Sequence, residues 1–428
     1  MELLTSFKGI LALVFFAAGV ISVLKRPKTG IGIIIFLVVL KEGFLIDWFP
    51  SIYEMHMPQT FFILTFVSWF IHSGKYPLRL NRDIFLMFLF FTIICYSRHH
   101  FGTAIFENKV PTEFFRETIF FFLVIQLLRQ PRDIKNILWL IVGFHLFLAL
   151  RAYYFYKAYS MPIALPGFNE DLNPNGFANA LAFVFPIAYL LATRTKNKML
   201  KILGLFTVLW CPIGVILTYS REGVIALLSG VGALVFFEKK KSRLILAVLI
   251  LAVLIIPHLS EKYIGRVKSI QEYQEDISAM GRVATNHAAL NMLKKYPFFG
   301  VGAGNYNDVF INFVPEEELK WVEPGKSVHN VILQAASETG FIGLTIFLLL
   351  LLRGFKNTFR KKGNKDGEIE EYDFALMLRI ALFVKLISLQ FGQGAYFGDL
   401  YLLLPLISAV KMLGSYSEAT PNPAIRKR

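Results

Sequence analysis

Only two cysteines, Cys95 and Cys211, occur in the chain, and both sit inside apolar runs. That excludes a disulfide framework and a thiolate metal site, and it leaves the redox compartment unreadable. The eight histidines show no ligand spacing and no HExxH pattern, so no metal site and no cofactor are expected. Neither a GxSxG elbow nor a GxxxxGK[ST] phosphate cradle is present. One glycine-rich stretch exists, Gly300-Val301-Gly302-Ala303-Gly304, but it lacks the preceding strand that a dinucleotide fingerprint requires. Its glycines read instead as shaping a tight loop against the rest of the protein. No period of 20–50 residues repeats and no low-complexity linker separates two halves. Charge is scarce as well: 18% of residues, against about 25% in soluble domains.

What fills the chain is apolar surface. Of 428 residues, 55% are hydrophobic and 15% aromatic, with a mean hydropathy of +0.54. A water-soluble globule cannot cover that much apolar surface, so the lipid bilayer is the expected solvent. The formal charge of +15 does not point to nucleic acid, because the Lys and Arg residues fall in short clusters between apolar runs, where membrane-orienting charge belongs. A spanning helix needs about 20 apolar residues. Segments that qualify lie at about 6–24, 30–47, 58–74, 83–97, 113–130, 134–155, 174–194, 199–219, 222–237, 242–258, 328–354, 372–391 and 396–413. They predict an all-α integral membrane protein, a polytopic bundle of about 12–13 transmembrane helices forming one domain over 1–428. Met1-Glu2-Leu3-Leu4 offers no basic region before the first run, so that run reads as retained rather than cleaved.

The links Lys25-Arg26-Pro27-Lys28, Lys75 to Arg82, Arg129 to Lys135, Arg194 to Lys201, Glu238 to Arg243 and Arg353 to Lys365 are all basic and alternate along the chain. The positive-inside rule makes them cytoplasmic. The N-terminus is then expected outside, and the C-terminal Arg426-Lys427-Arg428 inside. Facing outward is one long loop, 259–327, in which Ile277 to Tyr296 has helical spacing, with Met280, Val283, His287 and Leu290 on one face. A loop of this length in a compact membrane protein is more often functional than decorative.

Three groups gather on that outward side. His329, Ala336, Gly340 and Gly343 are separated by seven, four and three residues, which places them on one face of a single helix whose small residues admit another helix. His329 then reads either as an interfacial histidine above a packing motif or as a general base held on a stiff support. Arg221 lies in the short turn Thr218-Tyr219-Ser220-Arg221-Glu222-Gly223, and Arg282 lies in the long loop. Each either snorkels or pairs with a carboxylate, or else offers a planar fork to phosphate oxygens. Lys385 and Arg151 are secondary candidates for a polar cavity.

His329-Asn330, nine intervening residues, Gly340 and Gly343 resemble the histidine motif of the O-antigen ligase family and its polymerase relatives. Ser220-Arg221 is similar to that family's outward arginine. Gly281-Arg282, followed by Ala288-Ala289-Leu290, Pro297 and Gly300 to Asn305, resembles its large-loop signature. The resemblance covers roughly 205–350. It departs in the N-terminal third, where an extra span is counted against the family's usual twelve with a cytoplasmic N-terminus. It implies a metal-independent, inverting glycosyltransferase in the bacterial inner membrane, with its site facing the periplasm. The donor would be a glycan on undecaprenyl diphosphate and the acceptor a hydroxyl of lipid A-core. On the same grounds His329 would be the base, and Arg221 and Arg282 would hold the diphosphate. A polysaccharide polymerase or a protein O-oligosaccharyltransferase would share this scaffold. A transporter or flippase would instead show a pseudo-repeat and broken polar helices at mid-membrane.

Overall fold

The structure, a computed structural model, describes residues 7–39, 57–159, 174–238, 277–359 and 371–419. In lipid a backbone must satisfy its own amides, and the described apolar runs are mainly helical, with no strand among the described residues. In chain order the helices are α1 (Phe7–Lys25), α2 (Pro27–Val39), α3 (Met57–Ile71), α4 (Arg82–Phe101), α5 (Lys109–Leu127), α6 (Pro131–Tyr159), α7 (Pro174–Arg194), α8 (Lys198–Leu217), α9 (Arg221–Phe237), α10 (Ile277–Lys295), the one-turn α11 (Tyr306–Val309), α12 (Val331–Asn357), α13 (Glu371–Ser388) and α14 (Asp399–Ala419). Two 3-10 turns, Phe310–Phe313 and Glu316–Trp321, lie between α11 and α12.

The chain is an all-α, multi-pass membrane protein. Among the described residues α4, Pro131–Arg151 of α6, α7, α8 and α12 are long and apolar enough to cross a bilayer, and Leu13–Lys25, α2 and α3 are shorter apolar helices. The expected span at 242–258, the stretch 259–276, the link 360–370 and Arg426 to Arg428 lie outside the described residues, as does the part of 30–47 beyond Val39.

Side chains mark the helix starts. Asn81, Asn108, Asn197, Ser220 and Asn330 each sit in an extended conformation and accept a first-turn N–H of α4, α5, α8, α9 and α12 respectively. α7 is apolar all round and buried nearly all round, which requires neighbours on every side. It has them in α6, α8, α9 and α13. Helix association in lipid depends on close packing. At Gly223 of α9 an added Cβ would sit 2.3 Å from the Ala178 Cβ of α7, so only glycine lets these two helices approach this far.

The basic links gather at one end of the bundle and are stitched there by ion pairs. Lys28 meets Asp133 at 2.7 Å, Arg353 meets Asp83 at 2.6 Å, and Arg194 bridges Glu238 at 2.7 Å and Asp373. Each pair joins ends of helices distant in sequence. The opposite end carries the α4–α5 turn, the starts of α7 and α9, α10 to the start of α12, and the α13–α14 turn.

One expected element differs in kind. The segment read as one helix through His329 and Gly343 starts only at Val331, and it breaks at Gly340, where φ is 64° and ψ −169°. His329 stands before the helix and Asn330 is its cap. The shared face drawn from spacing therefore does not exist as drawn.

Candidate functional site

What fills the break at Gly340 is the glycine-rich loop. A Cβ on Gly340 would lie 2.2 Å from the Phe298 carbonyl carbon, and one on Gly300 would lie 2.4 Å from that of Glu338. With no side chain at either position, the two backbones dock directly. The Phe341 N–H donates to the Pro297 oxygen at 2.7 Å, and the Val301 N–H donates to the Ser337 oxygen at 2.9 Å. The amides freed by the break are thus satisfied by the loop, as a broken helix in lipid requires. Gly343 behaves as its spacing suggests, with Ile93 of α4 close by.

The far side of the loop is pinned by Arg98 at the end of α4. Arg98 is 2% exposed, and its guanidinium donates to the Ala303 oxygen at 2.8 Å, to Asn305 Oδ1 at 2.6 Å and to the Ala104 oxygen. Asn108 donates to the Gly304 oxygen at 2.9 Å, and the buried Glu338 accepts the Tyr306 N–H at 3.1 Å. Sequence reasoning missed Arg98 and Glu338. Neither contact has a local signal, since their partners are remote in the chain.

On this platform lies α10. Its helical character agrees with expectation, and the structure shows which of its faces is buried. Ala284, Thr285, Ala288, Ala289 and Met292 are covered, whereas His287 and Leu290 are exposed. The alanines win because they let α10 lie close to Val301, Tyr306, Phe310 and Val328. His287 Nδ1 instead meets Glu318 Oε1 of the second 3-10 turn at 2.7 Å.

Arg282 is within electrostatic reach of His329 and lies beside Glu222, the residue that follows Arg221. From the first turns of α10 its guanidinium reaches Glu222 Oε2, 3.6 Å away. Glu222 is the second residue of α9, directly after Arg221. Arg282 also acts on His329, just ahead of α12: burial, followed by the charges of Arg282 and Lys326, pushes that imidazole down to about 4. His329 is therefore neutral at pH 7, with an unprotonated ring nitrogen. Three segments remote in sequence thus bring cations and a neutral imidazole to one end of the bundle, opposite the basic links.

Of the secondary candidates, Lys385 sits in the last turn of α13 and pairs with Asp399 at 3.0 Å, while Arg151 lies within α6. Asn179 of α7 was not singled out from sequence; its Nδ2 donates to Glu222 Oε1 at 3.1 Å. Among the described residues no group of three or more His, Cys, Asp or Glu has a metal-holding arrangement.

Comparison with curated proteins gives no match. Residues 206–348 match the model of the family described as O-antigen ligase, a range that contains Arg221, Arg282, His329, the glycine-rich loop and the Gly340 break. Within a multi-pass helical membrane protein, residues 206–348 thus form a region similar to the O-antigen ligase family.

Proposed function

We propose that the protein transfers a glycan from a polyprenyl diphosphate, undecaprenyl diphosphate in a bacterial inner membrane, to an acceptor hydroxyl on the periplasmic side, with lipid A-core as the acceptor class. The observation that carries this reading is the convergence of Arg282 with His329 and with the start of α9, where Arg221 sits, at the end of the bundle away from the basic links. Positive-inside orientation then turns that end outward.

In this reading the acceptor oxygen attacks the anomeric carbon while the bond from that carbon to the diphosphate oxygen breaks. The hydroxyl proton passes to the neutral His329 ring nitrogen, and the bonding pair leaves on the diphosphate, whose oxygens Arg221 and Arg282 grip as planar forks. A single displacement inverts the anomeric centre. A positioned base is worth about 10²–10⁴-fold, and charge stabilisation of an already good leaving group supplies much of the rest.

The test is reconstitution of the purified chain with a defined polyprenyl-diphosphate glycan and, in parallel, lipid A-core, a glycan and a peptide as acceptors. His329→Ala is expected to lose transfer by at least about 10²-fold with unchanged expression and insertion. Transfer at the wild-type rate by that variant removes His329 from the mechanism. Product on glycan or peptide in place of lipid A-core reassigns the protein to a polymerase or a protein oligosaccharyltransferase.

A further inference from the structure

Arg282 already has an anionic partner. Glu222 is 5% exposed, and its two oxygens are used differently. Oε1 accepts from Asn179 Nδ2 at 3.1 Å, whereas Oε2 makes no hydrogen bond among the described residues and faces the Arg282 guanidinium at 3.6 Å. That separation suits charge attraction but is long for a hydrogen bond. Asn179 is itself 6% exposed and is carried by α7 at a close approach to α9, where Gly223 faces Ala178. The carboxylate is thus fixed from behind by a neutral amide, and only its front oxygen meets the cation.

We propose that Glu222 is a positioning residue acting through Arg282: it holds the guanidinium in place while the site is empty and yields it to the donor diphosphate, so that it weakens and filters anion binding. The inference rests on the reading of Arg282 as a diphosphate grip. A diphosphate offers several charged oxygens and a fork-matching geometry, so it displaces one loosely held carboxylate oxygen. A buried carboxylate stripped of every cation would be costly. On release of Arg282, Glu222 keeps its bond to Asn179 and stays within the electrostatic reach of Lys385 on α13, a cation shared with Asp399. Ions with fewer charges and poorer geometry compete less well against the resident carboxylate. Glu222 therefore favours a lipid-borne diphosphate over simple anions at the same surface.

The experiment measures binding of inorganic pyrophosphate to the purified full-length protein in nanodiscs, without any transfer reaction. Glu222→Gln keeps an oxygen for Asn179 and removes the charge. Loss of a partly exposed ion pair is worth up to about 1 kcal/mol, so pyrophosphate should bind about fivefold more tightly. Glu222→Asp, which withdraws the carboxylate by one methylene, should fall between wild type and Glu222→Gln. A merely structural role predicts weaker binding in both variants, and unchanged or weaker binding in both overturns the proposal. Arg282→Ala separates the two levels. If it abolishes pyrophosphate binding while the Glu222 variants leave binding unaltered, the diphosphate reading survives and this inference fails. If wild type binds no pyrophosphate, or Arg282→Ala binds as wild type does, both fail.

Discussion

His329 and Arg282 work against each other until a third group arrives. The guanidinium helps keep the imidazole deprotonated, which on the proposed function would secure a base at neutral pH, but a weak one. A bound diphosphate would neutralise Arg282 and thereby strengthen that base. The sign of the pH dependence follows. An ordinary histidine protonates near 6.5, whereas His329 is held down to about 4, so protonation, and with it loss of the base, begins only as pH falls well below 6.5. The acid limb of kcat/KM, which reports the free enzyme, is expected near pH 4, and the limb of kcat above it. Arg282→Ala, by removing one cause of the depression, should move the kcat/KM limb upward. A wild-type limb at 6.5 that Arg282→Ala leaves unmoved would sink this coupling. Arg221, Arg282 and His329 were singled out because motif spacing marks them. Glu222, beside Arg221 in the same turn, was not, because its meaning lies in partners contributed by α7 and α10.

At the scale of elements, the break in α12 is the feature on which the site's geometry rests. Gly340 combines a left-handed φ with an extended ψ, a region that is essentially glycine-only, and its missing Cβ leaves room for the Phe298 backbone. Gly340→Ala is expected to destabilise by about 3 kcal/mol or more and to undock the loop. Thermal unfolding in detergent should show a large drop in Tm. Gly232→Ala in α9, where an added Cβ would meet nothing within 4 Å, should cost clearly less. Equal damage from the two substitutions would argue against backbone docking. Small residues at regular spacing announced tight packing here, but they did not reveal whether a helix or a loop would occupy the gap. On α10, likewise, periodicity gave the helix but not its buried face, because alanines packed against an irregular loop outweigh larger side chains at the same spacing.

Across the whole molecule, hydropathy and the alternation of basic links made the polytopic bundle legible, since lipid leaves a chain few alternatives to helices. The pairs that tie the basic end together, such as Asp83 with Arg353 and Arg194 with Glu238, were not legible, because they join ends of helices far apart in sequence. Sidedness can be measured directly. With Cys95 and Cys211 replaced by alanine, a cysteine at the exposed Glu317 should react in intact cells with a membrane-impermeant maleimide. One at the exposed Lys196, on the basic link after α7, should react only after permeabilisation. The reverse pattern would invert the orientation assigned to the site. The docked loop carries one more implication. Phe298 and Phe341 flank the Gly340 break and remain 66% and 53% exposed, and aromatic side chains at a hydrocarbon boundary fix the depth at which a segment floats. The stretch bearing His329 leads directly into the helix that carries Phe341, so where these rings meet the hydrocarbon, acyl-chain length would set how high the imidazole stands above the lipid.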